Sequence, residues 1–338
     1  METKVIIDSK VNVYYASFYI KGLYYLFGEK NIVFKSMPFK ETNDEDGNLN
    51  FIVFDNKLTK YSISLDDSYL IKKKCYEWCD VYGSVNANMN ETPIEYKNKL
   101  VSLAPSFGIK LWSIKNTIYF AISNYIKLNK KTNFKKFIGK YKRQYLLRLP
   151  LEMYFHTIPK KNYIFHISTL WQSDEWIDND EFVNKKRAVF IETCKSIDKI
   201  KFEGGFYYSG NFILNERFKK LIFNDFMPIS NYILKLHQTI LVFNTPAWLN
   251  CNGWKLGEYL ALGKAIITTS ICNDLPSPLL HGINIHFVED SEEHIKSAIL
   301  YILNNDDYRI KLETGALNYW NQYCTPIKSL ELLGIRNK

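Results

Sequence analysis

With 338 residues the chain exceeds one ordinary hydrophobic core, and two domains are expected. Its 46% hydrophobic and 16% aromatic content excludes wholesale disorder, and no apolar run reaches the ~20 residues of a membrane span. The net charge of +9 is uneven: between Glu95 and Glu152 there are 13 lysines and arginines and no acidic residue, so the remainder is net acidic.

The opening METKVIIDSK enters directly on an apolar strand pattern and carries no leader-like segment. Six cysteines, at 75, 79, 194, 251, 272 and 324, include no CxxC pair and no clustering with histidine. A reduced, cytoplasmic chain without a bound metal is the expectation.

In chain order, Lys4-Val5-Ile6-Ile7-Asp8 reads as a first strand, 13–27 as a helix rich in Tyr, Phe and Leu, and 31–34 as a second strand. The intervening turn, SKVNVYY, has no glycine, whereas a dinucleotide fingerprint needs glycines for close phosphate approach; NAD or FAD is not expected here. Asp44, Glu45 and Asp46 superficially resemble a metal-binding cluster, but their polar, Gly-containing loop reads as a solvated hairpin tip. Residues 51–54 form another strand. Asp66 and Asp67 follow a further short one, either as a general base toward a hydroxyl or as a cap for a helix over 68–74.

Helical periodicity marks 110–150, with an apolar stripe of Leu111, Ile114, Ile118, Ala121, Ile122, Tyr125 and Ile126. The stretch 127–148 then interleaves lysines and arginines with Phe134, Phe137, Ile138 and Tyr141. Such a segment is the solvated face of a core helix, an anionic-membrane surface gaining ~1 kcal/mol per cation, or a nucleic-acid contact. No nucleic-acid motif accompanies it.

Residues 149–159 read as a linker. Beyond it come a strand at 163–167, the loop Ser168-Thr169-Leu170-Trp171, a helix over 187–197 opened by Lys185, Lys186 and Arg187, and a strand at 199–203. Gly204-Gly205 is too short for a phosphate loop and reads as a turn. Met227 and Ile229 precede a helix at 230–237.

The most structured stretch is 239–286. Ile240-Leu241-Val242-Phe243 is a buried strand bounded by Asn244-Thr245-Pro246, and Asn252 is placed to cap a helix from Gly253 to Leu262 that Gly263 ends. Ala265 to Thr269 is a second strand, completing a βαβ unit whose ligand loop is 244–253. Leu256 and Leu260 share one helix side; Lys255 and Glu258 share another. Free N–H groups at the helix start, with Lys255 in the first turn, suit phosphate, and Glu258 suits sugar hydroxyls. A capped surface helix with an i,i+3 Lys–Glu pair is the alternative.

GEYLALGKAIITT, together with DLPSPLLHG and the strand at 285–288, resembles the nucleotide-binding unit of GT-B glycosyltransferases over 222–333. The pattern is that of the retaining Glu-x7-Glu group 1 family, with the first glutamate replaced by Asn250. The resemblance implies two Rossmann-like α/β domains facing across a cleft. Residues 1–155 would bind the acceptor and 156–338 the nucleotide sugar, with a last helix at about 316–334, interrupted at Pro326, packing back on the first domain. It also implies Glu258 on ribose and the helix start at Gly253, Trp254 and Lys255, with Lys186, on the diphosphate. Thr169 would lie near the diphosphate, Met227 and Ile229 at the nucleobase, and Asn250, with Lys255, at the reacting sugar. No cofactor or metal is implied beyond the nucleotide-sugar donor. The implied activity is metal-independent hexosyl transfer to a glycan or lipid-linked acceptor in surface polysaccharide or glycan assembly. In that setting an anionic membrane ranks above nucleic acid as the partner of 127–148. Two rivals are an inactive binding module acting through its basic surface and a nucleotide-sugar epimerase.

Overall fold

Short apolar runs separated by polar turns fold here as strands, and the longer mixed segments between them as helices. The computed structural model describes residues 4–42, 47–55, 57–128, 132–171, 177–210, 214 and 216–336. Asp44, Glu45 and Asp46, and the basic Lys130 and Lys131, lie outside the described residues. The chain divides into two compact units, one of Met1–Met153, Asn273–Pro278 and Asn321–Lys338, the other of Tyr154–Cys272 and Leu279–Trp320. Both are α/β.

In the first unit β1 (Lys4–Asp8) pairs in parallel with β2 (Ile32–Lys35) across α1 (Val13–Phe27). β3 (Asn48–Asp55) runs antiparallel to both β1 and β4 (Lys57–Ser64). After α2 (Lys73–Trp78), β5 (Val81–Ser84) and β6 (Leu100–Ser102) extend the sheet in parallel, giving the order β2-β1-β3-β4-β5-β6. The reversed β3 departs from an all-parallel Rossmann-like sheet. Its cause is local: too few residues separate β3 from β4 for a parallel crossover. α2 begins at Lys73 with no side-chain cap, so Asp66 and Asp67 do not cap a helix at 68.

The basic region forms two helices, α3 (Ile114–Ile126) and α4 (Phe134–Leu146). Trp112 Nε1 donates to Tyr24 Oη at 3.0 Å, its ring stacks on Tyr141 at 5.9 Å, and Asn124 Nδ2 donates to Tyr141 Oη at 2.9 Å. A stripe at helical spacing normally marks the buried side. Here Thr117, Ala121 and Asn124 are buried, while Ile114, Ile118, Ile122 and Ile126 face solvent. The buried Tyr141 hydroxyl requires a hydrogen-bond partner, and Asn124 supplies it.

In the second unit β7 (Tyr163–Thr169) pairs in parallel with β8 (Lys201–Tyr207) across α5 (Ile177–Ser196). The expected turn Gly204-Gly205 lies inside β8. A Cβ at Gly204 would sit 1.9 Å from the His166 carbonyl oxygen of β7, so this strand contact demands glycine. After α6 (Glu216–Lys219) and α7 (Ile229–Gln238), β9 (Leu241–Asn244) is joined to β10 (Ala265–Thr268) by α8 (Trp254–Ala261). β10 pairs in parallel with β9 and with β11 (His286–Phe287). Ile240 N–H donates to Tyr163 O at 2.9 Å, laying the start of β9 beside β7. α9 (Glu292–Asn304), capped by Ser291, and α10 (Asp306–Tyr319) cover the sheet. The core centres on Phe190 stacked on Phe243, centroids 4.4 Å apart, with Ile164, Leu241, Ile267, Ile299 and Leu312 around them. Each such side chain contributes ~1.5–3 kcal/mol by leaving water.

Beyond α10 a wide turn over Trp320–Cys324 leads to α11 (Pro326–Leu332), which belongs to the first unit and packs on α1. A Cβ at Gly22 of α1 would fall 2.5 Å from the Pro326 carbonyl oxygen, so glycine sets that close approach.

Candidate functional site

In the second unit β7 has β8 on one side and the start of β9 on the other. Where a sheet reverses its direction of winding, the carboxyl ends of the strands diverge and leave a crevice. A cavity of about 150 Å³ occupies that position. His166, Ser168 and Thr169 reach it from β7, Asn244, Thr245 and Ala247 from the end of β9 and its loop, and Gly253, Trp254 and Lys255 from the start of α8. Arg187 of α5 and Trp171 complete the wall.

Two cations dominate this wall. Arg187 is 8% exposed; its Nη1 donates to Thr169 O at 3.1 Å and its Nε to Thr245 Oγ1 at 3.3 Å, fastening the ends of β7 and β9 together. Burial pushes the guanidinium down to about 10. The Lys255 ammonium donates to the Ile167 carbonyl. Burial, then the neighbouring Arg187, push it down to about 7, against the opposing pull of Glu258. Among the described residues neither cation forms an ion pair with a carboxylate. Buried charge without a counter-ion is costly, and an anion in the cavity would relieve that cost.

α8 adds its own field. Gly253 occupies the cap position in place of the expected Asn252, and no side chain caps the helix. Gly253, Trp254 and Lys255 at its start line the same cavity, at the positive end of the helix dipole, which favours an anion. Glu258, one turn on and 8% exposed, accepts the Tyr232 hydroxyl of α7 at 3.1 Å. Among the described residues no Lys255–Glu258 ion pair is formed; Glu258 is buried and Lys255 partly buried.

His166 is also buried. Burial drives its pKa well below the ordinary value, with Lys255 and Arg187 adding to the effect, so the ring is neutral. Nε2 lies 3.2 Å from Ser168 Oγ, while Nδ1 has no hydrogen-bond partner among the described residues. At the rim, Asn184 Nδ2 donates to Trp171 O at 2.6 Å and Asn184 Oδ1 accepts the Trp171 N–H at 3.1 Å, holding the indole beside Trp248 with centroids 6.5 Å apart.

Comparison with known proteins gives a fold-level likeness only. No protein-family model matches the sequence, and no curated protein matches it. Among solved structures, the C-terminal domain of a Francisella tularensis glycosyl transferase group 1 family protein is 16% identical with a TM-score of 0.37, covering 51% of this chain and 96% of that one. A Rickettsia africae glycosyltransferase is 12% identical with a TM-score of 0.38, covering 75% of this chain and 62% of that one. An Anabaena protein, HepE, solved with UDP and glucose, is 11% identical with a TM-score of 0.44, covering 78% and 64%. The chain thus spans less than two thirds of the latter two. At TM-scores below 0.5 the likeness carries no residue roles into this chain.

Of the residues expected at a site, Thr169, Gly253, Trp254 and Lys255 line the cavity together. Glu258 lies behind them on α8. Met227 and Ile229, partly buried, stand at the entrance to α7, whose Tyr232 reaches Glu258. Asn250 is exposed on the loop between β9 and α8, with φ 60, next to Leu249 at φ 54. Asparagine tolerates this left-handed backbone better than most residues. Lys186 does not line the cavity: its ammonium pairs with Asp290 at 2.6 Å. Arg187, its neighbour, takes the inward position, and it was legible only as the third residue of the KKR run. His166 and Trp171 carried no signal beyond their place at a strand end.

The first unit holds two adjoining cavities, of about 160 and 330 Å³, that share Asn12, Gly47 and Asn48 beyond the ends of β1 and β4. Asp8, Asn50, Lys136 and Lys140 line one; Tyr15, Asp66, Asp67 and Lys72 line the other. Asp66 pairs with Lys72 at 2.8 Å, and the buried Asn48 Oδ1 has no partner among the described residues. Among the described residues no group of three or more His, Cys, Asp or Glu side chains could hold a metal ion.

Proposed function

We propose that the second unit binds the diphosphate of a nucleotide-activated sugar and that the chain is a GT-B glycosyltransferase of the hexosyltransferase type, working without a metal. The observation that carries this reading is the buried Arg187 and the partly buried Lys255 lining one cavity at the start of α8, with no carboxylate ion-paired to either among the described residues. A cavity of about 150 Å³ suits a diphosphate, whereas whole-ligand pockets run to ~300–1,000 Å³. The nucleoside would extend toward α7 and α8, its ribose to Glu258 and its base to Met227 and Ile229. The hexose would lie toward Asn250 and Thr169.

Transfer replaces the diphosphate oxygen at the anomeric carbon with the acceptor's hydroxyl oxygen. Negative charge grows on the departing diphosphate, and Arg187, Lys255 and the α8 N–H groups offset it, the work a metal ion does in other transferases. The polar cavities of the first unit, rich in Asn and Asp, suit the hydroxyls of a glycan or lipid-linked acceptor. Basic residues over 127–148 suit an anionic membrane carrying it, in surface polysaccharide or glycan assembly.

Calorimetry against UDP, GDP, TDP, CMP and their sugars, in EDTA, tests the donor assignment. Binding of one diphosphate nucleotide, weakened at least tenfold by Arg187→Gln, is the expected result. No binding by any of them overturns it and leaves the inactive binding module standing. Conversion of a donor without an acceptor would make the enzyme an epimerase.

A further inference from the structure

Helix α3 presents an apolar ridge to solvent. Ile114, Ile118, Ile122 and Ile126 are 54, 55, 50 and 75% exposed, and Tyr119 beside them is 64% exposed. Their spacing of four keeps them in one gently inclined row about 18 Å long. Large apolar side chains scattered singly need no explanation, but a contiguous row marks a contact surface. Phe134, at the start of α4, adds a further ring at 52% exposure.

The exposed charge of α3 and α4 has one sign. Lys115 is exposed on α3, and Lys135 and Lys142, two turns apart on one side, on α4, within a stretch of sequence free of acidic residues. A second copy of the chain on the same face would set lysine against lysine. A nucleic acid would satisfy the lysines and leave the isoleucines against phosphate and water. An anionic bilayer satisfies both, with phosphates at the lysines and the headgroup–acyl boundary at the isoleucines.

We propose that α3 and α4 form a docking surface for an anionic lipid bilayer, into which the Ile114–Ile118–Ile122–Ile126 ridge inserts while the flanking lysines hold lipid phosphates. This deepens the membrane contact of the proposed function and rests on it, but not on the donor site. Insertion lies in the interface plane: among the described residues no helix is long and apolar enough to cross a membrane.

The test is partitioning of the full chain onto phosphatidylcholine vesicles with and without phosphatidylglycerol. Binding is expected only with the anionic lipid. The doubly substituted Ile118→Ser, Ile122→Ser chain should partition about tenfold more weakly. Lys115→Gln, Lys135→Gln and Lys142→Gln together should cost on the order of a hundredfold and weaken the salt dependence. An Ile118→Trp reporter, at a position already half exposed, should shift its emission to the blue on anionic vesicles. Undiminished binding of the serine variant, or an unshifted reporter, overturns ridge insertion and leaves electrostatic attraction alone. A dimer in sedimentation that the serine variant abolishes, with vesicle binding unchanged, assigns the ridge to a second copy instead. Absence of any vesicle binding removes the membrane contact altogether, while nucleotide calorimetry would still report on the donor site.

Discussion

Raising the pH from 6 to 8 should weaken donor binding about tenfold, because Lys255 must carry its proton to meet the diphosphate. In the empty site burial and Arg187 hold its pKa at about 7. A nucleotide-sugar diphosphate keeps its two charges over this range, so the ligand does not titrate. Bound, it would return the ammonium toward its ordinary 10.5. The empty site is then about nine-tenths protonated at pH 6 and about one-tenth at pH 8, and that ratio is a loss of ~1.3 kcal/mol of affinity. Calorimetry in buffers of different ionisation enthalpy should find uptake of about half a proton at pH 7 and about 0.9 at pH 8. Lys255→Gln should bind more weakly and show neither the slope nor the uptake. Flat affinity from pH 6 to 8 with no buffer-dependent heat, in a chain that binds the donor, would refute the placement of Lys255 against the diphosphate.

The same residue should set a pH dependence of stability in the empty protein: between about 7 and 10.5 the unfolded chain binds the Lys255 proton and the folded chain does not, so stability rises with pH there, and below about 7 the burial cost stands in full. Lys255→Met should therefore raise the melting temperature most at pH 6 and least near pH 10, as a thermal melt at each pH would show. Arg187→Lys keeps the charge but loses the fork that bridges Thr169 and Thr245, so it should weaken nucleotide binding at least tenfold and lower stability by ~1–3 kcal/mol in urea titration. Glu258→Ala should abolish most donor affinity, whereas Tyr232→Phe, which removes only the hydroxyl donating to Glu258, should keep it; equal loss in both would assign Glu258 to packing. Gly204→Ala drives a methyl into the His166 carbonyl and should unfold the β7–β8 edge, at a cost above ~3 kcal/mol by circular dichroism in urea.

Local signals in the sequence located most elements. The helix over 13–27 stands as read, because its Tyr, Phe and Leu residues are a long apolar run ended by Gly28. α8 begins within one residue of its expected start. What one-dimensional pattern lacks is the partner. The direction of β3 depends on the shortness of its link to β4. Gly204 and Gly205 look like a turn in isolation, yet they lie in a strand pressed against the His166 carbonyl on one residue and the Leu221 carbonyl on the next. The α3 stripe divides: Leu111 and Ala121 are buried while its four isoleucines face solvent, because a tyrosine hydroxyl on α4 selects Asn124 for the interior.

The site divides along the same line. Thr169, Gly253, Trp254 and Lys255 were legible because each sits at an end of a strand or helix, where chain direction alone aims a group at the crevice. Lys186 and Arg187 were not separable, since both lie on buried positions of α5. The choice between them falls to Asp290, which neutralises one and leaves the other to the cavity. That choice decides what the site can bind. A lysine paired with aspartate adds no net charge, whereas the buried Arg187 and the partly buried Lys255 line one cavity, and Arg187 lowers the hold of Lys255 on its proton. An anion placed between them gains from both in a region that excludes water, where each interaction is stronger than at the surface. If the proposed anion site is correct, the destabilised empty state and anion binding are one property of the fold, and the pH dependence of melting and of binding should change together when either cation is removed.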